Sequence, residues 1–326
     1  MTRPSLPATV GSSEPRIRPL QAEEVALLRL GRQRRASEAT VRQVVAGYPN
    51  RSVWAPDTLE FALVAPWRHR RDLAMIEELS AGKHAPALLR AAVEQCRQAG
   101  DAMVLLLEMD ERRPPAFYAR AGLHPIEDVI TYELARVRPV SLPAPALAFA
   151  PAEPADQGQL DDLRRVDHAA FPWLWRNSDE EFLVYAAAPG TRLYLGSVDR
   201  QPAAYLGMSI FPGWGHLDRI AVDPAFQGHG LGRQALVWTI NTMHWAGCRR
   251  IALSTQLGNE RSQRLYERFG FQRSPGFDYR LYGAPLRAPA TSVATANGRQ
   301  ATAISTGATV KDETREWAVV SGRSSS

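Results

Sequence analysis

The chain is expected to fold as two α/β domains built on one repeated plan, and three observations lead there. Its 326 residues exceed what a single hydrophobic core usually organises and suit two. Residues 138–154, RPVSLPAPALAFAPAEP, break the periodic pattern on either side, as a Pro- and Ala-rich linker feeding a strand does. The flanking segments also repeat. In the first half a helical stretch, Pro86 to Ala99, ends at Gly100, the apolar run MVLLLEM follows, and then PPAFYARAGLHPIEDVITYEL. In the second, Gln234 to Ala246 ends at Gly247, RIALST follows, and then SQRLYERFGF and DYRLYG. Gly100 and Gly247 are 147 positions apart and Tyr118 and Tyr266 are 148 apart, the mark of an internal duplication with one small indel.

The expected organisation is a leader over residues 1–15, a first domain over 16–138, a linker over 139–145, a second domain over 146–283 and a tail over 284–326. The leader lacks the apolar core of an export signal, which predicts a cytoplasmic protein. The tail is small and polar and should be disordered, because it cannot bury enough surface to offset its ordering entropy. Trp317, Val319 and Val320 are the one place where it could dock.

Composition narrows the function classes. With 45% hydrophobic and 22% charged residues and no apolar run near the roughly 18 residues a membrane span requires, no membrane crossing is expected. Cys96 and Cys248 lie in different halves with no metal-type spacing, so neither a disulfide framework nor a metal site is implied. The formal charge of +5 suits an anionic partner, but the basic residues are spread along the chain. A phosphate-rich cofactor accounts for them better than nucleic acid.

The chemistry concentrates in LDRIAVDPAFQGHGLGRQALVWTI of the second half. An alternating strand turns at Asp223-Pro224 and passes three glycines into a helix marked by Leu236, Ile240 and Met243. Glycines at a helix amino terminus form an anion site, since unpaired N–H groups and the positive dipole end point outward and no side chain blocks approach. A mononucleotide loop would need a lysine after the last glycine, and a dinucleotide loop would continue differently after Gly230. Neither fits. Gln227-Gly228-His229-Gly230-Leu231-Gly232 resembles the Q-x-x-G-x-G pyrophosphate loop of the GNAT acetyltransferase superfamily, preceded by that family's strand, here Ile220-Ala221-Val222. About 30 residues on, Asn259, Ser262, Leu265, Tyr266, Glu267, Arg268, Gly270 and Phe271 are similar to the family's last core helix and turn.

This resemblance implies that each domain is a mixed, mostly antiparallel sheet flanked by helices. It also implies acetyl-CoA as cosubstrate and an amine as acceptor, held by Ile220 to Val222, Gln227 to Gly232, Asn259 and Ser262, with no metal. By the same resemblance Tyr266 is the general acid that protonates the departing thiolate. For the base, His216 stands eleven residues before Gln227, where some histone-acetylating relatives carry a glutamate, and Asp218 shares its strand face. Either is a candidate, as imidazole titrates near neutrality. Phe171, Trp173 and Trp175 fall where the family's first two helices wall the acceptor site. That stretch is similar to the one in ribosomal-protein alanine acetyltransferases, although Ser254 stands where those carry a carboxylate.

In the first half SAGKHAP replaces the glycine loop, with Lys83 at the Gly230 position and the N–H-lacking Pro86 further on, so a degenerate copy without acetyl-CoA is expected. Tandem chains of this kind resemble the mycothiol synthases in layout, which would make the acceptor an amino-sugar conjugate; because no residue that would read such an acceptor is identifiable, this ranks below the primary amine of a small molecule or a peptide amino terminus. A non-catalytic acetyl-CoA sensor or scaffold would keep the loop but need neither Tyr266 nor a base.

Overall fold

The computed structural model describes residues 15–30, 37–109, 113–142 and 145–287; the expected leader, all but residue 15, and the expected docking residues Trp317, Val319 and Val320 lie outside them. The first half runs β1 (Arg18–Pro19), α1 (Glu38–Gly47), β2 (Val53–Ala55), β3 (Glu60–Pro66), β4 (Leu73–Ser80), α2 (Ala85–Ala99), β5 (Met103–Glu108), α3 (Pro115–Ala119) and β6 (His124–Leu134). The second runs β7 (Ala148–Pro151), α4 (Gln157–Ala170), α5 (Asp179–Ala187), β8 (Thr191–Val198), β9 (Gln201–Phe211), β10 (Trp214–Val222), α6 (Leu231–Trp245), β11 (Arg250–Gln256), α7 (Glu260–Arg268), β12 (Gln272–Arg273) and β13 (Tyr279–Pro285).

Local chemistry sets the helix ends. Asp156 and Ser178 accept the Gln159 and Glu181 amides at 2.9 and 3.0 Å and so start α4 and α5, satisfying amides that have no partner inside the helix. The first turn of α5 carries Asp179, Glu180 and Glu181, charges that suit the positive dipole end. Gly100 stops α2 in the left-handed region at φ 85°, a conformation that glycine adopts without steric penalty.

All the strands belong to one sheet, in the order β1-β2-β3-β4-β5-β13-β6-β11-β10-β9-β8-β7, with β12 beside β6. Neighbours are antiparallel except β4 with β5 and β10 with β11, so the architecture is mixed α/β with a large, mostly antiparallel sheet flanked by helices. The order reads alike from both edges: five strands of one half followed by the last strand of the other. That exchange is a finding beyond two self-contained sheets. β13 pairs with β5 of the first half, for example Leu281 opposite Leu107, and β6 pairs with β11 of the second, Thr131 opposite Ser254.

Apolar alternation on these strands feeds cores that cross between the halves. One face buries Leu217, Ile220, Leu253 and Tyr266 of the second half together with Ile130 and Tyr132 of the first, under α6 and α7. The other buries Phe171, Trp175, Tyr205 and Ala221 with Trp67, Leu73, Leu105 and Val129 of the first half, under α4 and α5. The expected linker is fastened to α6: the Val140 amide and carbonyl bond the Asn241 side chain at 2.7 and 2.9 Å. Ala284 and Pro285, read from the sequence as the start of the tail, complete β13 opposite Val104 and Met103. Among the described residues no helix is long and apolar enough to cross a membrane.

Candidate active site

β10 delivers the chain to the anion turn. Asp223 accepts the Ala225 amide at 2.9 Å and starts a 3-10 turn over Pro224–Phe226, and the Gln227 side-chain amide donates back to the Val222 carbonyl at 3.0 Å. Gly228 and Gly230 then take φ of 90° and 75°, where an L side chain is strained. Gly230 caps α6 in this conformation, so the first amides of a 15-residue helix open outward. They border a cleft of about 270 Å³ between α6 and α7 that also meets Val222, Leu231, Ser262 and Leu265. Arg233, Arg261, Arg264 and Arg268 line it as well, a basic rim that sequence reasoning missed. Its signal was the spacing of three and four residues along α7, which turns Arg261, Arg264 and Arg268 to the Ser262 side.

The remaining residues expected at the cofactor are placed as follows. Gly232 lines the cleft, whereas His229 is exposed, with Nδ1 3.4 Å from the Phe226 carbonyl, and lies outside the lining. Ile220 and Ala221 are buried in opposite cores. Asn259 caps α7 by accepting the Ser262 hydroxyl at 2.8 Å.

Tyr266 follows Ser262 by one helical turn but is fully buried in the core under α7 and is not among the residues lining the cleft. Its ring packs against Tyr132 and Phe271, at centroid distances of 6.1 and 5.9 Å, and its buried hydroxyl has no hydrogen-bond partner. Burial, helped by Tyr132, raises its pKa well above the ordinary tyrosine value, which keeps the proton on oxygen. On β10, His216 and Asp218 meet: Nδ1 lies 2.7 Å from Oδ1. Asp218 Oδ2 accepts the Tyr185 hydroxyl at 2.6 Å and the Ser209 hydroxyl at 2.7 Å. A carboxylate held by two hydroxyl donors can accept a proton from Nδ1 of the imidazole beside it. Asp218 stands in a register break between Leu217 and Arg219, and Gly207 makes room for Tyr185, since a Cβ there would lie 3.1 Å from the hydroxyl.

A family model described as acetyltransferase (GNAT) family matches residues 160–271, the segment that carries turn, dyad and tyrosine. A mycothiol acetyltransferase of Kineococcus radiotolerans is 35% identical over 40% of this chain and 37% of its own length, so the match spans under half of that relative. A mycothiol acetyltransferase of Gordonia bronchialis is 29% identical over 73% of this chain and 79% of its own length. A tandem GNAT protein from the clavulanic acid biosynthesis pathway superposes with a TM-score of 0.51 at 16% identity, covering 84% of this chain and 99% of that one; this likeness concerns the fold.

The three aromatics expected at the acceptor wall are placed as follows. Phe171 and Trp175 are each 2% exposed and belong to the core shared by both halves. Phe171 lies under the Arg219 guanidinium at 3.8 Å and Trp175 donates its indole N–H to Glu127 of β6. Trp173 is on the surface, 41% exposed, beneath Arg70 at 4.7 Å.

The first half has a shorter turn at the corresponding place. Between β4 and α2 stand four residues, 81–84, against eight, 223–230, between β10 and α6. The Glu60 carboxylate accepts the Gly82 amide at 2.6 Å and also bonds His84. Desolvation pushes the Glu60 pKa up, and the bonds to Gly82, His84 and Thr58 outweigh that push and hold it below the ordinary value. An anion of the chain's own thus sits at this loop. Tyr118, the counterpart of Tyr266, donates to Glu108. Among the described residues no group of three His, Cys, Asp or Glu could hold a metal.

Proposed function

We propose that the chain is a cytoplasmic N-acetyltransferase that moves the acetyl group of acetyl-CoA to a primary amine, using the second half. The observation that supports this is the cleft bordered by the glycine turn and the amino end of α6, in a half that also carries an unpartnered tyrosine hydroxyl on α7 and a held His216–Asp218 pair on β10. The amides of Gly228 to Gly232 and the arginine rim suit a pyrophosphate, and the unpaired Tyr266 hydroxyl suits a sulfur lone pair. Bound there, acetyl-CoA supplies a thioester carbonyl. His216 Nε2 takes a proton from the amine as nitrogen bonds the carbonyl carbon; the carbon–sulfur bond breaks, and Tyr266 gives its proton to the leaving thiolate. Positioning two reactants supplies much of the rate and acid–base assistance the rest.

The mycothiol acetyltransferase relatives favour an amino-sugar conjugate as acceptor over polyamines or peptide amino termini. Thiol release from acetyl-CoA, measured against a panel of amino-sugar conjugates, polyamines, aminoglycosides and peptides, tests both levels. Turnover with one class identifies the acceptor. Tight acetyl-CoA binding with no turnover across the panel would instead make the chain a sensor.

A further inference from the structure

The connection between β3 and β4 is a short turn, Trp67–His69 followed by Arg70, and it is unusual in three ways. Arg68 and His69 both take φ of 52°, a left-handed conformation that costs a non-glycine residue energy and persists only where surroundings hold it. Arg68 is 6% exposed, and its Nε and Nη2 have no hydrogen-bond partner. Its guanidinium lies 5.3 Å from both the Trp67 and Trp175 rings. Burial, reinforced by Arg219, pushes its pKa down to about 10, against the pull of Glu181, Asp167 and Tyr279. Such a residue is a poor choice for stability alone.

Each member of the turn grips the segment between α4 and α5 of the other half. Trp67 Nε1 donates to the Leu174 carbonyl at 2.9 Å, Arg68 Nη1 to Asn177 Oδ1 at 2.8 Å, and Arg70 to the Trp173 carbonyl. The Ser178 hydroxyl, which caps α5, donates to the Arg68 carbonyl at 2.9 Å, and His69 Nδ1 lies 2.6 Å from Glu181 in the first turn of α5. At the other end of α5, Tyr185 donates to Asp218. The path from turn to helix to tyrosine to dyad is made of contiguous contacts.

We propose that the turn Trp67–Arg70 of the first half is a positioning clamp for the second half's His216–Asp218 pair, acting through α5 and Tyr185. This rests on reading that pair as the general base. The first half then contributes to the reaction without touching a reactant. Arg68 fixes the left-handed turn between two indoles and against Asn177, the turn fixes the amino end of α5, and α5 holds Tyr185 at the carboxylate. With Tyr185 in place, Asp218 keeps the Nδ1–H form of His216; without it, the imidazole relaxes towards the Nε2–H form that free imidazole side chains prefer.

Long-range proton–nitrogen spectra of the full chain labelled with ¹⁵N-histidine test this without an acceptor, His216→Ala identifying the signal among seven histidines. In the wild type His216 should be a single Nδ1–H form. Arg68→Met, which replaces a buried, underpaired cation by an apolar chain of similar length, should keep or raise Tm yet lose that single form; Tyr185→Phe should lose it too. A merely structural Arg68 would move Tm and leave the tautomer alone. Should Arg68→Met not fold, His69→Ala cuts the same clamp at α5 and carries the same expectation. An unchanged His216 spectrum in the folded clamp variant overturns the proposal, even if Tyr185→Phe alters it. Failure of the base reading looks different: His216→Ala would then turn over amine at the wild-type rate, whatever the spectra show.

Discussion

At the scale of single residues the Tyr266 hydroxyl carries the sharpest expectation. A buried donor with no partner costs about 1–3 kcal/mol, so Tyr266→Phe should leave Tm unchanged or raise it. General acid–base assistance is worth roughly 10²- to 10⁴-fold, so the same variant should keep its acetyl-CoA affinity while kcat falls by about that range. Equal kcat within about twofold would assign protonation of the thiolate to solvent. His216→Ala and Asp218→Asn should each lower the rate. The pairing of His216 with Asp218 was legible because residues two apart on a strand share a face. Tyr185 and Ser209 were not, since the bonds to Asp218 span 33 and 9 residues and Asp218 stands in a register break that no side-chain pattern announces. The place of Phe171 and Trp175 in the core shared by both halves was not legible for a related reason: close-set aromatics signal burial without saying whether core or ligand covers them.

Elements decide which half binds. The alternating strand, the positive-φ glycines and α6 were readable as one unit because each step has a local cause. The four-residue loop of the first half is harder to see, since its closing carboxylate, Glu60, lies 22 residues upstream of Gly82. Introducing glutamate at Gly230 should abolish acetyl-CoA binding, because it forces a side chain into the left-handed region at the helix amino terminus and sets a carboxylate against the pyrophosphate. Calorimetry of the wild type should give one acetyl-CoA per chain and of Gly230→Glu none, with the α6 helix intact by circular dichroism. Two equal sites in the wild type would show that Glu60 yields its place readily.

For the whole molecule, the repeat at 147 to 148 residues announced two copies of one plan, but nothing local says which copy owns the last strand. β6 and β13 both run antiparallel to their neighbours, and their assignment is a matter of long-range pairing, which side-chain periodicity does not encode. A chain ending at Asp278 lacks β13 and leaves facing edges on β5 and β6, so it should aggregate, whereas one ending at Arg287 keeps every described strand and should retain the full-length Tm. The exchange has a further consequence during synthesis. Leu107 waits for Leu281, about 170 residues later, and at roughly 5–20 residues per second the ribosome needs on the order of 10 to 35 s to deliver it. Through that interval the nascent first half carries an unfinished edge to which a neighbouring nascent chain on the same message could add its own strand. Yield in the cell should therefore follow how well that edge is shielded while translation proceeds, more than the stability of the finished protein.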